Sequence, residues 1–347
     1  MAAAPTLLRI AQEAIDAASE LARTSPPGVL TPKGDRDYAS EVDFTIERTV
    51  RKFLQSRTPS IAFVGEEENS KPADVSEWWT LDPIDGTVNF TRALPLCAVS
   101  LALVRDGRPV LGVIDLPFLG ARYWAAESEG AYRDRSRLHV REVDHLDDAV
   151  LAIGDYAVGP GAHEKNRARL NLTHLLAGRA LRVRMLGSAA VDLAWLAEGK
   201  VDASVTLSNR SWDVAAGLIL AREAGATVVD QDGSTHTTDS MATIAASPGI
   251  RDELLSLLGT AVSYDRQGDG QTTPNGFQAR HSERCSRCLA GPSWQGDGAR
   301  RTEAILRPKA RQPDCGSPPR VACGNSSTMA ESTSSITPSR ASSLRFP

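Results

Sequence analysis

The sequence predicts a layered fold of mixed helices and strands (α/β, of the α+β kind), and three observations carry that prediction. Apolar residues recur at helical spacing in several separate segments, and short β-rich runs lie between them. Two of those runs flank Asp106-Gly107, a hairpin turn. Hairpins among helices argue for layers rather than strict βαβ repetition, and no internal repeat is visible.

The elements follow in order. Residues 3–23 read as an amphipathic helix, with Leu7, Ala11, Ala14, Ala18 and Leu21 on one stripe and Ser25-Pro26-Pro27-Gly28 as its stop. Ser40 opens a second helix: Ser40-Glu41-Val42-Asp43 has capping-box spacing, with Asp in the usual Glu or Gln place, and Ile46, Val50 and Phe53 form the apolar side. Residues 61–64 and 78–81 are short strands, the second running straight into an acidic turn. The hairpin arms are 97–105 and 109–116, with a further strand at 122–126. Residues 188–198 form a helix closed by Gly199, 201–207 a strand, 212–223 a helix closed by Gly225, and 227–230 a strand. A last strand at 243–246 precedes a closing helix at 251–258.

Composition bounds the class. Hydrophobic content of 41% and charged content of 24% are those of a soluble globular chain. The longest apolar runs, Cys97 to Val104 and Val214 to Ala221, are too short to span a bilayer. Glu13, Asp16 and Glu20 interrupt what would be the core of a signal peptide, so the expected location is cytoplasmic, with no membrane partner. The net charge of −4 gives no expectation of a nucleic-acid partner. That charge is uneven: residues 265–347 hold 12 Lys+Arg against 7 Asp+Glu, which leaves the first 264 at −9. An acidic body fits a protein that gathers carboxylates for cations.

The last stretch differs in kind. Residues 265–347 contain 12 Ser, 8 Gly and 8 Pro with little periodicity, too little apolar surface to offset the entropy of ordering. The expected division is a folded body over 1–262 and a disordered tail over 263–347. The tail also holds Cys285, Cys288, Cys315 and Cys323; the second pair is spaced too widely for a zinc ribbon. Cys97, alone in the body, reads as a buried small hydrophobe.

Four motifs carry chemistry. Asp82-Pro83-Ile84-Asp85-Gly86-Thr87 follows an apolar strand. Two carboxylates three residues apart can converge on cations. If Gly86 and Thr87 open a helix, their free N–H groups make an anion site in the same turn. Gly65-Glu66-Glu67-Glu68 ends another strand; alone, such a run is usually a solvated charge cluster. Trp212-Asp213 opens an apolar helix, where Asp213 alone is a favourable charge at an N-terminus. Asp37 and Asp43 flank Ser40, and by itself Asp43 reads as a cap rather than a catalyst.

Together, and in this order and separation, these motifs resemble the inositol monophosphatase family over residues 1 to about 262. Lys33-Gly34-Asp35-Arg36-Asp37 and Trp212-Asp213-Val214-Ala215-Ala216-Gly217 also look like family sequence. The resemblance implies a layered α-β-α-β-α sandwich of the inositol monophosphatase / fructose-1,6-bisphosphatase type, usually dimeric. It implies two or three Mg2+ ions, held by Glu66, Asp82, Asp85, Asp213 and the Ile84 carbonyl, and inhibition by lithium. Asp43 and Thr87 would activate the attacking water, with Glu66 beside them. Gly86 and Thr87 amides would hold the phosphate. Gly187, Ser188 and Ala189, with Asp213, would contact substrate; a plain N-cap is the other reading of Gly187-Ser188. The residues agree: every proposed ligand is oxygen and no histidine lies in these motifs, a donor set suited to magnesium rather than zinc.

The resemblance implies hydrolysis of a small phosphorylated polyol or similar metabolite, with inositol 1-phosphate first. Histidinol phosphate, fructose 1,6-bisphosphate or an adenosine phosphate are the alternatives. A non-catalytic binding protein on the same fold need not keep these residues together. One departure bears on selectivity. Thr206 stands seven residues before Asp213, where family members acting on inositol phosphate commonly carry a Glu that contacts substrate hydroxyls.

Overall fold

The computed structural model describes residues 4–68 and 75–267. Two helices, α1 (Ala4–Thr24) and α2 (Glu41–Arg57), are joined by a hairpin of β1 (Leu30–Gly34) and β2 (Asp37–Ser40). A seven-stranded sheet follows: β3 (Ala62–Gly65), β4 (Glu77–Asp85), β5 (Ala98–Arg105), β6 (Arg108–Leu116), β7 (Ala121–Ala126), β8 (Gly130–Arg133) and β9 (Ser136–Arg137), in that spatial order. Only β3 and β4 pair parallel; the remaining strands form an antiparallel meander. A short helix, α3 (Thr87–Thr91), leaves the end of β4.

The second half builds a five-stranded sheet. Its strands are β10 (Val150–Ile153), β11 (Arg182–Arg184), β12 (Ala203–Thr206), β13 (Thr227–Val229) and β14 (Thr243–Ala246), in the order β11-β10-β12-β14-β13. Its helices are α4 (Ala162–Ala177), α5 (Ala189–Ala197), α6 (Ser211–Glu223) and α7 (Arg251–Gln267).

Alternation along the strands explains the layering, because successive side chains leave opposite faces. On β4, Trp79 and Leu81 join Ile15, Ile46 and Leu54 of α1 and α2, while Trp78 faces Ala215 and Ile219 of α6. Leu193, Leu196, Leu218 and Ala221 on the far side of α5 and α6 meet Ala152 and Ala245 of the second sheet. The last face of that sheet, with Leu151, Val205 and Ile244, is covered by Leu172 and Leu176 of α4 and Leu254 and Leu258 of α7. The layers therefore run helix, sheet, helix, sheet, helix, as expected.

Several elements are additions to the sequence reading. The β1–β2 hairpin contains Pro32 and Gly34, and β1 is exposed throughout, so neither carries a periodic apolar signal. The edge strand β11 is Arg-Val-Arg. Helix α4 starts after Gly161 and buries chiefly Leu172, Leu176 and Arg169, too sparse a stripe to read as amphipathic. The closing helix runs to Gln267, past the expected end at 258, so the expected body limit at 262 falls inside it. The expected tail from 268 onward, with its four cysteines, lies outside the described residues. Cys97 is buried, as expected. Among the described residues no helix is long and apolar enough to cross a membrane.

Candidate active site

The acidic motif is built into a strand rather than a turn. β4 continues through Asp85, pairing Asp82 with Ser100 and Asp85 with Ala98, so one extra residue bulges between them. The sequence reading ended this strand at Leu81. It continues because residues 78–85 are buried throughout, and buried backbone needs ladder partners. Pro83, which cannot donate to a ladder, sits in the bulge. Gly86 then reverses the chain with φ 89°, and α3 starts at Thr87. A side chain at Gly86 would lie 3.0 Å from the Leu96 carbonyl and 3.1 Å from that of Gly187. Glycine therefore permits both the left-handed turn and the close approach of residues 187–188.

That approach joins the two halves of the site. Asp85 Oδ2 accepts from Ser188 Oγ at 2.6 Å and from the Ala190 amide at 2.5 Å, with the Ala189 amide also contributing. Asp85 therefore caps α5. Ser188 is the N-cap of the same helix, accepting from the Val191 amide at 3.2 Å, so it caps and contacts Asp85 at once. Asn89 Nδ2 donates to the Leu96 and Leu186 carbonyls, both at 2.7 Å, tying α3 to the segment that presents Gly187.

Parallel pairing places the glutamate motif. Gly65 stands opposite Leu81, and the Glu66 amide donates to the Leu81 carbonyl at 3.2 Å, which sets Glu66 beside Asp82. Asp43 comes from the first turn of α2. Its Oδ2 accepts from the Ser40 amide at 2.9 Å and from Ser40 Oγ at 2.5 Å, the expected capping box. Its Oδ1 lies 3.5 Å from Thr87 Oγ1, which also donates to the Ile84 carbonyl at 3.1 Å. One oxygen caps the helix and the other faces the site. Asp213 stands in the first turn of α6, which packs against β4.

The structure thus brings Asp43, Glu66, Asp82, Ile84, Asp85, Gly86, Thr87, Gly187, Ser188, Ala189 and Asp213 to one place. Their charges act on one another. Burial pushes the Asp82 carboxyl well up, helped by Glu66, Asp85 and Asp213. Burial does the same to Asp213, with Asp85 and Glu66 adding to it and Arg210 opposing. Asp85 rises to about 6 by burial, against the hydrogen bonds from Ser188 and Ala190. Asp43 rises to about 6 by burial, opposed by its bonds from Ser40. Glu67 rises to about 7 by burial and the repulsion of Glu66, opposed by Lys33.

A cation fits this set. Asp82 Oδ1 is buried without a hydrogen-bond partner among the described residues, and the carboxylates of Glu66, Asp85 and Asp213, all hard oxygen donors, repel its charge. Among the described residues no three Asp, Glu, His or Cys side chains already converge closely enough to coordinate an ion. Lys33 supplies positive charge meanwhile: its Nζ donates to Glu66 at 2.6 Å and Glu67 at 3.0 Å, and these partners hold its ammonium well above the usual range despite burial.

Three contributors were missed in the sequence. Lys33 sits on β1, which is exposed along its whole length. Asn89 falls two residues past Thr87. Glu47 is fully buried on α2, four residues after Asp43 and so on the same face; two acids at helical spacing within an apolar stripe were the available signal. Thr206, at the end of β12, is buried beside Gly154, and its hydroxyl has no partner among the described residues.

A model of the inositol monophosphatase family matches residues 3–263. Inositol-1-monophosphatase ImpA of Mycolicibacterium smegmatis is 35% identical over 254 residues, 73% of this chain and 91% of that protein. A fructose-1,6-bisphosphatase/inositol-1-monophosphatase of Thermotoga maritima is 33% identical over 229 residues, 66% of this chain and 85% of that one. Among solved structures, an IMPase of Thermotoga maritima superposes with TM-score 0.68 at 29% identity, over 74% of this chain and 98% of that one.

Proposed function

The chain belongs to the inositol monophosphatase family of metal-dependent phosphoric monoester hydrolases, and from that premise we propose that it hydrolyses inositol 1-phosphate to inositol and phosphate using two or three Mg2+ ions. The observation that carries this reading is the mutually repelling group of buried Asp82 and Asp85 with half-buried Glu66 and Asp213 around the orphaned Asp82 Oδ1, with Thr87 and Asp43 beside it.

Glu66, Asp82, Asp85, Asp213 and the Ile84 carbonyl hold the ions. When bound, magnesium offsets the charge of the phosphate and of the departing alkoxide and makes water acidic enough to attack. The residues do the rest. Thr87 donates its hydroxyl proton to Asp43 or to Ile84, which turns its lone pairs outward to orient a water. Asp43, with a carboxyl at about 6, is ionised at neutral pH and receives the water's proton through Thr87. The amides of Gly86 and Thr87, at the head of α3, bind phosphate oxygens. Gly187, Ser188 and Ala189 line the leaving-group side, fixed there by Asp85 and Asn89. No covalent enzyme intermediate is required; positioning and charge suffice.

A second reading keeps the chemistry and changes the substrate. Thr206 offers no charge to polyol hydroxyls, and one relative's name carries fructose-1,6-bisphosphatase beside inositol-1-monophosphatase. Histidinol phosphate or an adenosine phosphate would be hydrolysed by the same machinery. The test is phosphate release from inositol 1-phosphate, fructose 1,6-bisphosphate, histidinol phosphate and glycerol 2-phosphate, in Mg2+ and in chelator. Activity that survives chelation refutes the metal assignment. In the same panel, Thr206→Glu lowers KM for inositol 1-phosphate more than it changes kcat, since the contact is remote from phosphorus. Substrate ratios unmoved by that change refute Thr206 as the selectivity position.

A further inference from the structure

Beneath the glutamate turn lies a fourth acid that the mechanism above does not use. Glu47, on the inner face of α2, is fully buried. Its Oε2 accepts from the Glu67 amide at 2.7 Å and its Oε1 from the Glu68 amide at 2.9 Å. Two successive N–H groups thus point at one carboxylate, the arrangement by which backbone cradles an anion. Arg51, one turn on, donates to Glu47 Oε1 at 2.5 Å and to the Glu68 carbonyl at 2.9 Å, with its guanidinium 4.9 Å over the Phe63 ring.

The turn is shaped to this carboxylate. A side chain at Gly65 would fall 2.1 Å from the Glu47 carboxyl carbon, so glycine there lets β3 end directly on Glu47. The backbone before Glu66 is held by β4 through its own amide, and the backbone after it by Glu47 through the next two. Glu66 is therefore clamped on both sides. Burying a carboxylate beneath three other acids is unfavourable unless its hydrogen bonds are satisfied, and here both oxygens are spent on that turn and on Arg51.

Resting on the cation reading above, we propose that Glu47 is a positioning residue for the metal site: by fixing the 66–68 turn it holds the Glu66 carboxylate where a divalent cation binds. Its loss weakens metal affinity beyond any loss of fold stability. Outer partners that orient a ligand are typically worth about 10–100-fold in metal affinity.

The experiment measures Mg2+ affinity of the full chain by titration calorimetry and by the Mg2+-induced rise in unfolding temperature, with the unfolding temperature in chelator as the stability readout. Wild type is compared with Glu47→Gln and with Leu54→Ala, a core truncation on the same helix. Gln keeps the volume but turns an amino group against one of the two amides. The expected result is that Glu47→Gln weakens Mg2+ binding about 10–100-fold. Leu54→Ala lowers the unfolding temperature and leaves Mg2+ affinity within about twofold, as distant sites add independently. If Glu47→Gln fails to fold, Glu47→Asp, which keeps the charge but withdraws it by one methylene, is read the same way. Mg2+ affinity unchanged in the Glu47 variant, or weakened equally by Leu54→Ala, overturns the proposal and leaves Glu47 as fold support. A wild type that binds no Mg2+ refutes the cation reading and this proposal with it, an outcome distinct from tight binding in both forms.

Discussion

Replacing Asp85 by Asn separates the two tasks of that residue. The Asn amide oxygen can still accept from Ser188 Oγ and the Ala190 amide, so the α5 cap persists. The charge is lost from the cluster. Asp85 rises from 3.8 to about 6, so above pH 6 its ionised form burdens the fold by roughly 3 kcal/mol at 1.36 kcal/mol per unit. A neutral amide relieves that burden. In chelator the variant should melt higher than wild type, by up to about 10 °C at roughly 2–4 °C per kcal/mol. At saturating Mg2+ the order reverses: wild type gains about 4.1 kcal/mol at a thousand times its dissociation constant, more than that burden, and the variant gains little. Phosphate release should fall by at least about a hundredfold. The assay is calorimetric melting with chelator and with Mg2+, beside phosphate release on the same samples. A variant that melts lower than wild type in chelator refutes the reasoning, as does one that keeps the Mg2+ increment.

Two further predictions follow from the geometry. The carboxyls of Asp43 and Asp85 at about 6 and of Glu67 at about 7 are all raised, so the folded state holds these protons more tightly than the unfolded chain. Their stabilising contribution is present below about pH 4 and lost as pH rises through about 6 to 7, while Mg2+ needs its ligand Asp85 ionised; melting at pH 5 to 8 should show a Mg2+ increment that grows with pH, and a flat increment refutes the assignment. A chain ended after Gln267 should keep its activity and melting temperature. One ended after Leu258 should melt lower, because it removes Ala261, which is buried and whose carbonyl accepts from Asn171; equal melting of the two chains would show that the last turns of α7 contribute nothing.

The motif residues were legible in the sequence because each lies at a chemically marked point: a strand end, a glycine turn or a helix head. Asp82 to Thr87 could be read from spacing and residue type, Glu66 and Asp213 only through the family resemblance of the combined motifs, and Ser40 with Asp43 could be read as a capping box, which the structure contains. The apolar periodicity of α1, α2, α5 and α6 and the hairpin at Asp106-Gly107 likewise determined the layered α and β class, since burial imposes its period on local sequence. Local sequence did not contain the rest. Continuation of β4 through Asp85 depends on Ser100 and Ala98 across the ladder. The split of Asp43 between its cap and Thr87 depends on a contact 44 residues away, and the capping of α5 by Asp85 on one 103 residues away. Glu47 and Asn89 acquire their partners only when α2 meets the glutamate turn and α3 meets the strand of chain before Gly187. Sequence determined which side chains are candidates for the chemistry; tertiary structure alone decided which of their oxygens are already spoken for, because hydrogen bonds across the fold compete with a cation for the same lone pairs.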